Sequence, residues 1–266
     1  MLKITSRDNQ KIKFTRKVRD RTIEHLIFIE GIRLAEEASR SNLKISEVFF
    51  TESFAESERG RAFLQTTENF VQTIVADKVF DSLSDTKNSQ GIIIICAKPP
   101  TDKIYLEKNL ASPEKLPLVV LLHRINNPTN LGAILRTCEA VNVAGVILTK
   151  NSADVFSPKA LRGAMGASMR LPMWTNTDFP DAVDWAKKQN LISVCADVNA
   201  KKSYLEIDWK KPRLLIFGSE GHGLSEQERQ PVDESLLIPM ENNVESLNLA
   251  VSCVVILFEA KRQFNN

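Results

Sequence analysis

The chain alternates between short apolar runs and amphipathic stretches over nearly its whole length. "HLIFIEG" at 25–31, "ISEVFF" at 45–50, "FVQTIVA" at 70–76 and "GIIIICA" at 91–97 read as strands. Between them, "GIRLAEEASRSN", "ESERGRAFLQTT" and "ADKVFDSLSDT" carry helical spacing or helix-start residues. From residue 116 the runs become more continuously apolar: "LPLVVLLH", "AGVILT", "LISVCAD", "RLLIFG" and "ESLLIPM". Unbroken runs of this kind suit parallel strands buried on both faces. The helices "NLGAILRTCEAVN", "SPKALRGAMGA" and "FPDAVDWAKKQN" fall between them, and the mostly apolar "LNLAVSCVVILFEAKRQF" closes the chain. The pattern predicts an α/β fold in two parts. A small N-terminal α/β domain covers 1–97, a Pro- and Lys-rich linker covers 98–115, and a mostly parallel sheet domain covers 116–266.

Composition changes little in this picture. At 266 residues, 43% hydrophobic and 26% charged, the chain has the makeup of an ordinary globular protein. A net charge of +2 hides an uneven distribution. The first 21 residues hold Lys3, Arg7, Lys11, Lys13, Arg16, Lys17, Arg19 and Arg21 against only Asp8 and Asp20. Such a segment can neutralise phosphates, or it can be the solvated side of a helix whose Ile4, Ile12, Phe14 and Val18 face a core. No secretion-signal pattern follows the charges, and no apolar stretch approaches a bilayer span, so a cytoplasmic protein without a membrane partner is expected. Cys96, Cys138, Cys195 and Cys253 are scattered among apolar positions, which favours buried thiols, and His25, His123 and His222 stand alone. No metal-ligand spacing is present.

Ligands of parallel sheets sit beyond the carboxyl ends of the strands. Three strand-exit loops are rich in polar and special residues. "HRINNPTNLGAILRT" crowds Asn126, Asn127, Thr129 and Asn130 at a helix start, where capping and turn formation account for one or two of them. Arg136 lies nearly two helical turns past Asn130, on a helix with little other charge. "IPMENNVESLNLA" brings Asn242, Asn243, Glu245, Ser246 and Asn248 between a buried strand and the last helix. "GSEGHGLS" at 218–225 nearly matches the phosphate-binding pattern G-x-x-x-x-G-K-[ST], but Leu224 stands at the Lys position. Glu220 would also oppose a phosphate there, so a nucleotide triphosphatase is disfavoured.

"NPTNLGAILRT", "GSEGHGLS" and "IPMENNVESLNLAVS" resemble, in order and spacing, the three motifs of the SpoU (TrmH) class of RNA ribose 2′-O-methyltransferases in the SPOUT superfamily. "VFSPKALRGAMGASMRLP" matches between the first two motifs. "FIEGIRLAEEA" and "LSDTKNSQGI" resemble the substrate-binding domain often fused to these enzymes. The resemblance implies a C-terminal SPOUT-type domain with a trefoil knot, which general topology rules would not suggest. It also implies S-adenosylmethionine as methyl donor, a homodimer through the C-terminal domain, and ribosomal RNA (23S rRNA) as the favoured partner. Transfer-RNA methylation, an antibiotic-resistance rRNA methylation and a non-catalytic ribosome assembly factor are the alternatives.

By the same resemblance, Asn130, Arg136, Glu220, Ser246 and Asn248 form the catalytic constellation. Gly218, Ile238, Met240, Leu247 and Leu249 hold the donor, largely through backbone groups and apolar walls. Arg136, with a guanidinium too basic to accept a proton, is expected to bind a phosphate or steady a forming alkoxide. Arg7, Lys11, Lys13 and Arg16 are candidate RNA contacts. Asn242 stands where the family has Gly, and Asn is the non-Gly residue most tolerant of positive φ.

Overall fold

The computed structural model describes residues 3–41, 43–110, 114–242 and 244–266. It divides into two compact units, the first comprising Met1–Pro99 and Val155–Arg170, the second Pro100–Asp154 and Leu171–Asn266.

The first unit runs β1 (Lys3–Ile4), α1 (Gln10–Arg19), β2 (Leu26–Glu30), α2 (Ile32–Arg40), β3 (Ile45–Phe50), α3 (Glu52–Glu56), α4 (Glu58–Thr66), β4 (Val71–Val75), α5 (Asp77–Phe80) and β5 (Ile92–Ala97). These strands make a mixed sheet in the order β1-β4-β3-β5-β2, with β5 antiparallel to both neighbours. Helix α1 starts because the Asn9 side chain accepts from the Lys11 N–H, and it buries Ile12, Thr15 and Val18. Phe14, which one of the two readings of this segment puts on the same stripe, is 45% exposed. At 100° per residue, Gln10, Lys13, Phe14 and Lys17 share the opposite face of the helix.

The second unit begins with α6 (Lys103–Leu110), followed by β6 (Leu116–Leu122), α7 (Pro128–Val141) and β7 (Val143–Thr149). The chain then lends α8 (Pro158–Ala164) and α9 (Ala167–Arg170) to the first unit. It returns as β8 (Met173–Thr177), α10 (Phe179–Lys188), β9 (Ile192–Ala196), β10 (Lys202–Ser203), β11 (Arg213–Phe217), α11 (Glu226–Arg229), β12 (Glu234–Leu237) and α12 (Leu249–Asn265). Seven strands form a sheet in the order β10-β12-β9-β11-β6-β7-β8, with every described pairing parallel.

Two expected boundaries differ. The stretch 98–115 is not merely a linker. Within it α6 packs on β7 and β8, and its Leu106 is fully buried in the core with Val119, Leu121 and Ile147. Its Pro and Lys residues masked a single apolar anchor. Residues 155–170 belong to the first unit because α8 packs on β2, Arg162 pairs with Asp85 at 2.8 Å, and Arg170 pairs with Glu37 at 2.6 Å.

The strand order locates the binding edge. From β6 the chain moves outward through β7 and β8, then crosses to the other side of β6 to build β9, β11 and β12. The order therefore reverses at the β6–β11 pair, and a crevice opens beyond the carboxyl ends there. The polar loops 123–130 and 218–225 leave β6 and β11 at that point, and 238–248 follows β12.

Candidate active site

The three loops meet through a chain of amide hydrogen bonds whose direction is set by a helix cap. Asn248 precedes α12, and its Oδ1 accepts from the N–H groups of Ala250 and Val251 at 2.9 and 3.4 Å. That fixes its Nδ2 outward, where it donates to Asn130 Oδ1 at 3.3 Å. Asn130 must then present Nδ2 to its other side, and it donates to Glu220 Oε1 at 2.5 Å. The second Glu220 oxygen accepts from the Asn127 N–H at 3.2 Å. Asn127 itself caps α7 by accepting from Thr129 N–H at 2.9 Å, with Pro128 in the first turn.

The turn carrying Glu220 is narrow because Ser219 and Gly223 exchange two backbone bonds of 3.1 and 2.9 Å. A Cβ on Gly218 would lie 2.3 Å from the Gly223 carbonyl carbon, so only Gly fits at 218. Gly223 takes φ +63°. Leu224, at the P-loop Lys position, is buried in the core. Asn242 takes φ 56°, the left-handed conformation expected of it. Asn243 lies outside the described residues.

These elements frame a cleft of about 730 Å³. Asn130, Glu220, Ser246 and Asn248 line it together with Gly218, Ile238, Met240, Leu247 and Leu249, so nine of the ten candidate catalytic and donor-binding residues converge. Arg136 does not. It is exposed on α7, off the cleft wall, and has no side-chain partner among the described residues. Ser246 likewise has no side-chain hydrogen bond among the described residues.

Two features went unread in the sequence. Asp197, at the end of β9, and Arg229, on α11, form a 2.5 Å ion pair on the cleft wall. Burial would raise the Asp197 carboxyl, but the Asn199 N–H and Arg229 hold it below its ordinary value. A lone acid ending an apolar strand was the available signal. The other feature is His123, which seemed isolated because its partner lies 105 residues away. Its Nε2 meets Glu228 Oε1 at 3.0 Å, and its Nδ1 meets Thr149 Oγ1 at 3.0 Å.

Burial also acts against the Glu228 carboxylate, yet bonds from the Ser225 N–H and hydroxyl, then His123, keep it below its usual value. Glu228 is therefore an acceptor, so His123 carries its proton on Nε2 and accepts at Nδ1 from the Thr149 hydroxyl. Thr149 Oγ1 accepts in turn from the Arg124 N–H at 3.1 Å. Burial lowers the His123 pKa, and Glu228 opposes this only in part.

In the first unit, three of the four candidate RNA contacts are engaged internally. Arg7 donates to the Lys78 carbonyl at 3.1 Å, Lys11 to Glu47 at 2.5 Å and Arg16 to Ser82 at 2.8 Å. Among the described residues Lys13 reaches only exposed Asp8, at 3.1 Å. All four thiols are free and buried, and burial pushes Cys96 up to about 12 and Cys195 to about 11. No group of His, Cys, Asp and Glu able to hold a metal occurs among the described residues, and no described helix is long and apolar enough to cross a membrane.

Comparison with known proteins agrees with this architecture. Residues 117–258 match the SpoU rRNA Methylase family, and residues 9–94 match the MRM3-like substrate binding domain. An uncharacterized tRNA/rRNA methyltransferase of Synechocystis is 31% identical, the match covering 98% of this chain and 93% of that protein. The 23S rRNA (guanosine(2553)-2′-O)-methyltransferase RlmP of Bacillus subtilis is 28% identical over 98% of this chain and its whole length. The crystal structure of an AdoMet-bound rRNA methyltransferase from Sinorhizobium meliloti superposes with a TM-score of 0.83 at 26% identity, covering 98% of this chain and 97% of that one. With three strand-exit loops tied at the β6–β11 crossover and a family match over more than half its length, the chain belongs to the SpoU rRNA methylase family.

Proposed function

We propose that this protein transfers the methyl group of S-adenosylmethionine to a ribose 2′-hydroxyl of 23S rRNA, with guanosine, the nucleotide named for its relatives, as the expected target. The observation that carries this reading is the Glu220–Asn130–Asn248 chain at the head of a cleft large enough for the donor. The cleft fits that group chemically. Its apolar side, with Ile238, Met240, Leu247 and Leu249, suits an adenine, and the absence of a Lys at Leu224 suits a donor without phosphates.

When bound, the donor supplies a methyl already activated on a sulfonium. The residues need only align an oxygen with it and favour developing alkoxide character. Glu220 fixes the loop ahead of α7 by accepting from Asn127 and Asn130. Asn130 and Asn248 then present oriented amides, and the Ser246 hydroxyl is free to bond substrate. Arg136 is assigned to the RNA phosphate beside the target. It acts from outside the cleft of its own chain, which accords with assembly of the site in a dimer.

Val251, Val254 and Phe258 are 48%, 40% and 52% exposed and lie on one side of α12. A second copy of this chain is the proposed cover. The trefoil knot and a cytoplasmic setting, where ribosomes are assembled, complete the reading.

The test is incubation of the purified protein with in-vitro-transcribed 23S rRNA and tritiated S-adenosylmethionine. The expected product is one ribose-methylated nucleotide, read as an alkali-resistant dinucleotide. No transfer, or a methyl found only on a base, refutes the proposal.

A further inference from the structure

A second cleft, of about 500 Å³, lies beyond the donor cleft and shares the turn Ser219–Gly223 as its wall. Its far side is built by Arg124, Asn126, Ser225 and Glu228. Along the shared crest, a Cβ at Gly221 or Gly223 would meet nothing within 4 Å. Gly221 also needs no left-handed φ, so packing and strain leave its lack of a side chain unexplained. The two glycines leave gaps on either side of the exposed His222, which lines both clefts, and through them a ligand in the second cleft can reach across to Glu220 and the donor cleft.

Arg124 is the one Lys or Arg lining this cleft among the described residues, and it is 53% exposed. Its backbone takes φ +54°, a conformation rare for a long side chain and a strain tolerated where the surroundings over-determine it. Here the Arg124 N–H is held by Thr149 Oγ1, and its guanidinium lies 3.4 Å from Glu228 Oε1. Glu228 already accepts from Ser225 and His123, so its charge is shared among several donors. The guanidinium, which lines the cleft, has further N–H groups that can pair bidentately with a phosphate.

We infer that this second cleft receives the target nucleotide of the RNA, swung out of its stack, with Arg124 on its phosphate and the ribose brought over the Gly221 crest to Glu220 and the donor. The inference rests on the methyl-transfer reading above. His123, Thr149 and Glu228 are positioning residues that hold Arg124. Sequence-specific RNA recognition mostly targets unstacked nucleotides in single-stranded loops and bulges, which suits a target swung out in this way.

The experiment compares the unaltered protein with Arg124→Gly, which removes the side chain while suiting the left-handed backbone. Methyl transfer to 23S rRNA transcript is measured against RNA concentration and salt, and S-adenosylhomocysteine affinity is measured by calorimetry. The expected result is a KM for RNA raised about tenfold and a salt slope lowered by about one unit. Affinity for S-adenosylhomocysteine should be unchanged. Transfer by the unaltered protein with no change in KM for Arg124→Gly overturns this inference alone. So does an equal loss of S-adenosylhomocysteine affinity, which would mean collapse of the shared turn. No transfer by the unaltered protein overturns the function and this inference together.

Discussion

Asn248 does two jobs that substitution can separate. Its Oδ1 caps α12, and its Nδ2 orients Asn130. Replacing Asn248 by Ala removes both. Loss of an Asn cap costs about 1 kcal/mol. Loss of one exposed amide bond adds about 0.5–1 kcal/mol, the lower part of the range for such bonds. Asn248→Ala should therefore lower unfolding free energy by about 1–2 kcal/mol in urea titrations. Asp caps as well as Asn, so Asn248→Asp should stay within about 0.5 kcal/mol of the unaltered protein. It nevertheless turns a carboxylate toward Asn130 Oδ1, replacing a bond by a repulsion. Asn130 cannot rotate to relieve this without withdrawing Nδ2 from Glu220. Methyl transfer to 23S rRNA should then fall at least tenfold in kcat for both variants, although only one is destabilised. If Asn248→Asp unfolds as readily as Asn248→Ala, the cap argument is wrong. If it keeps the unaltered kcat, the amide chain does not orient Asn130 for catalysis.

Leu224→Lys restores the P-loop pattern on paper but places a charge in the core. It should cost on the order of 3–5 kcal/mol in urea and give no nucleotide triphosphate binding by calorimetry, and measurable binding would contradict the structural reading of the turn. His123 has a folded pKa below its ordinary 6.5, so the unfolded chain binds the proton more readily. Its contribution should be complete above about pH 6.5 and fade as pH falls toward the folded value, and His123→Gln should flatten that part of a stability–pH curve. Phe258→Asp should convert a dimer to a monomer in sedimentation equilibrium without loss of folding, and a monomeric unaltered protein would remove the basis for this expectation.

The sequence resolved strands and helices wherever a run was long and of one character, such as 116–122 or 143–149, because burial on both faces leaves a continuous apolar signature. It was less informative where one residue decided the outcome. Leu106 anchors a helix amid Pro and Lys, and β8 hides in "MWTNT", whose central positions are half-buried or exposed. Residue type allows Phe14 an inward place, while helix periodicity turns it outward with Lys13 and Lys17. The three site loops were legible because polar residues crowd strand exits. The pairings in and around them were not. Glu220 with Asn130, Asp197 with Arg229 and His123 with Glu228 are contacts between distant segments, and no local pattern encodes them. Nor does residue type show that Arg7, Lys11 and Arg16 are engaged within their own unit.

The loan of residues 155–170 to the first unit has a consequence for synthesis. The N-terminal sheet is made first, yet the segment that completes its unit, with Phe156 and Leu161 buried, ends only at Arg170, 71 residues after Pro99. At ordinary translation speeds that is a wait of roughly 4–14 s. Through it, β6, α7 and β7 of the other unit emerge while the face of β2 that receives α8 still lacks its cover. The two units are thus completed in an interlaced order, and a chain ended at residue 99 would leave the ribosome with its first unit unfinished.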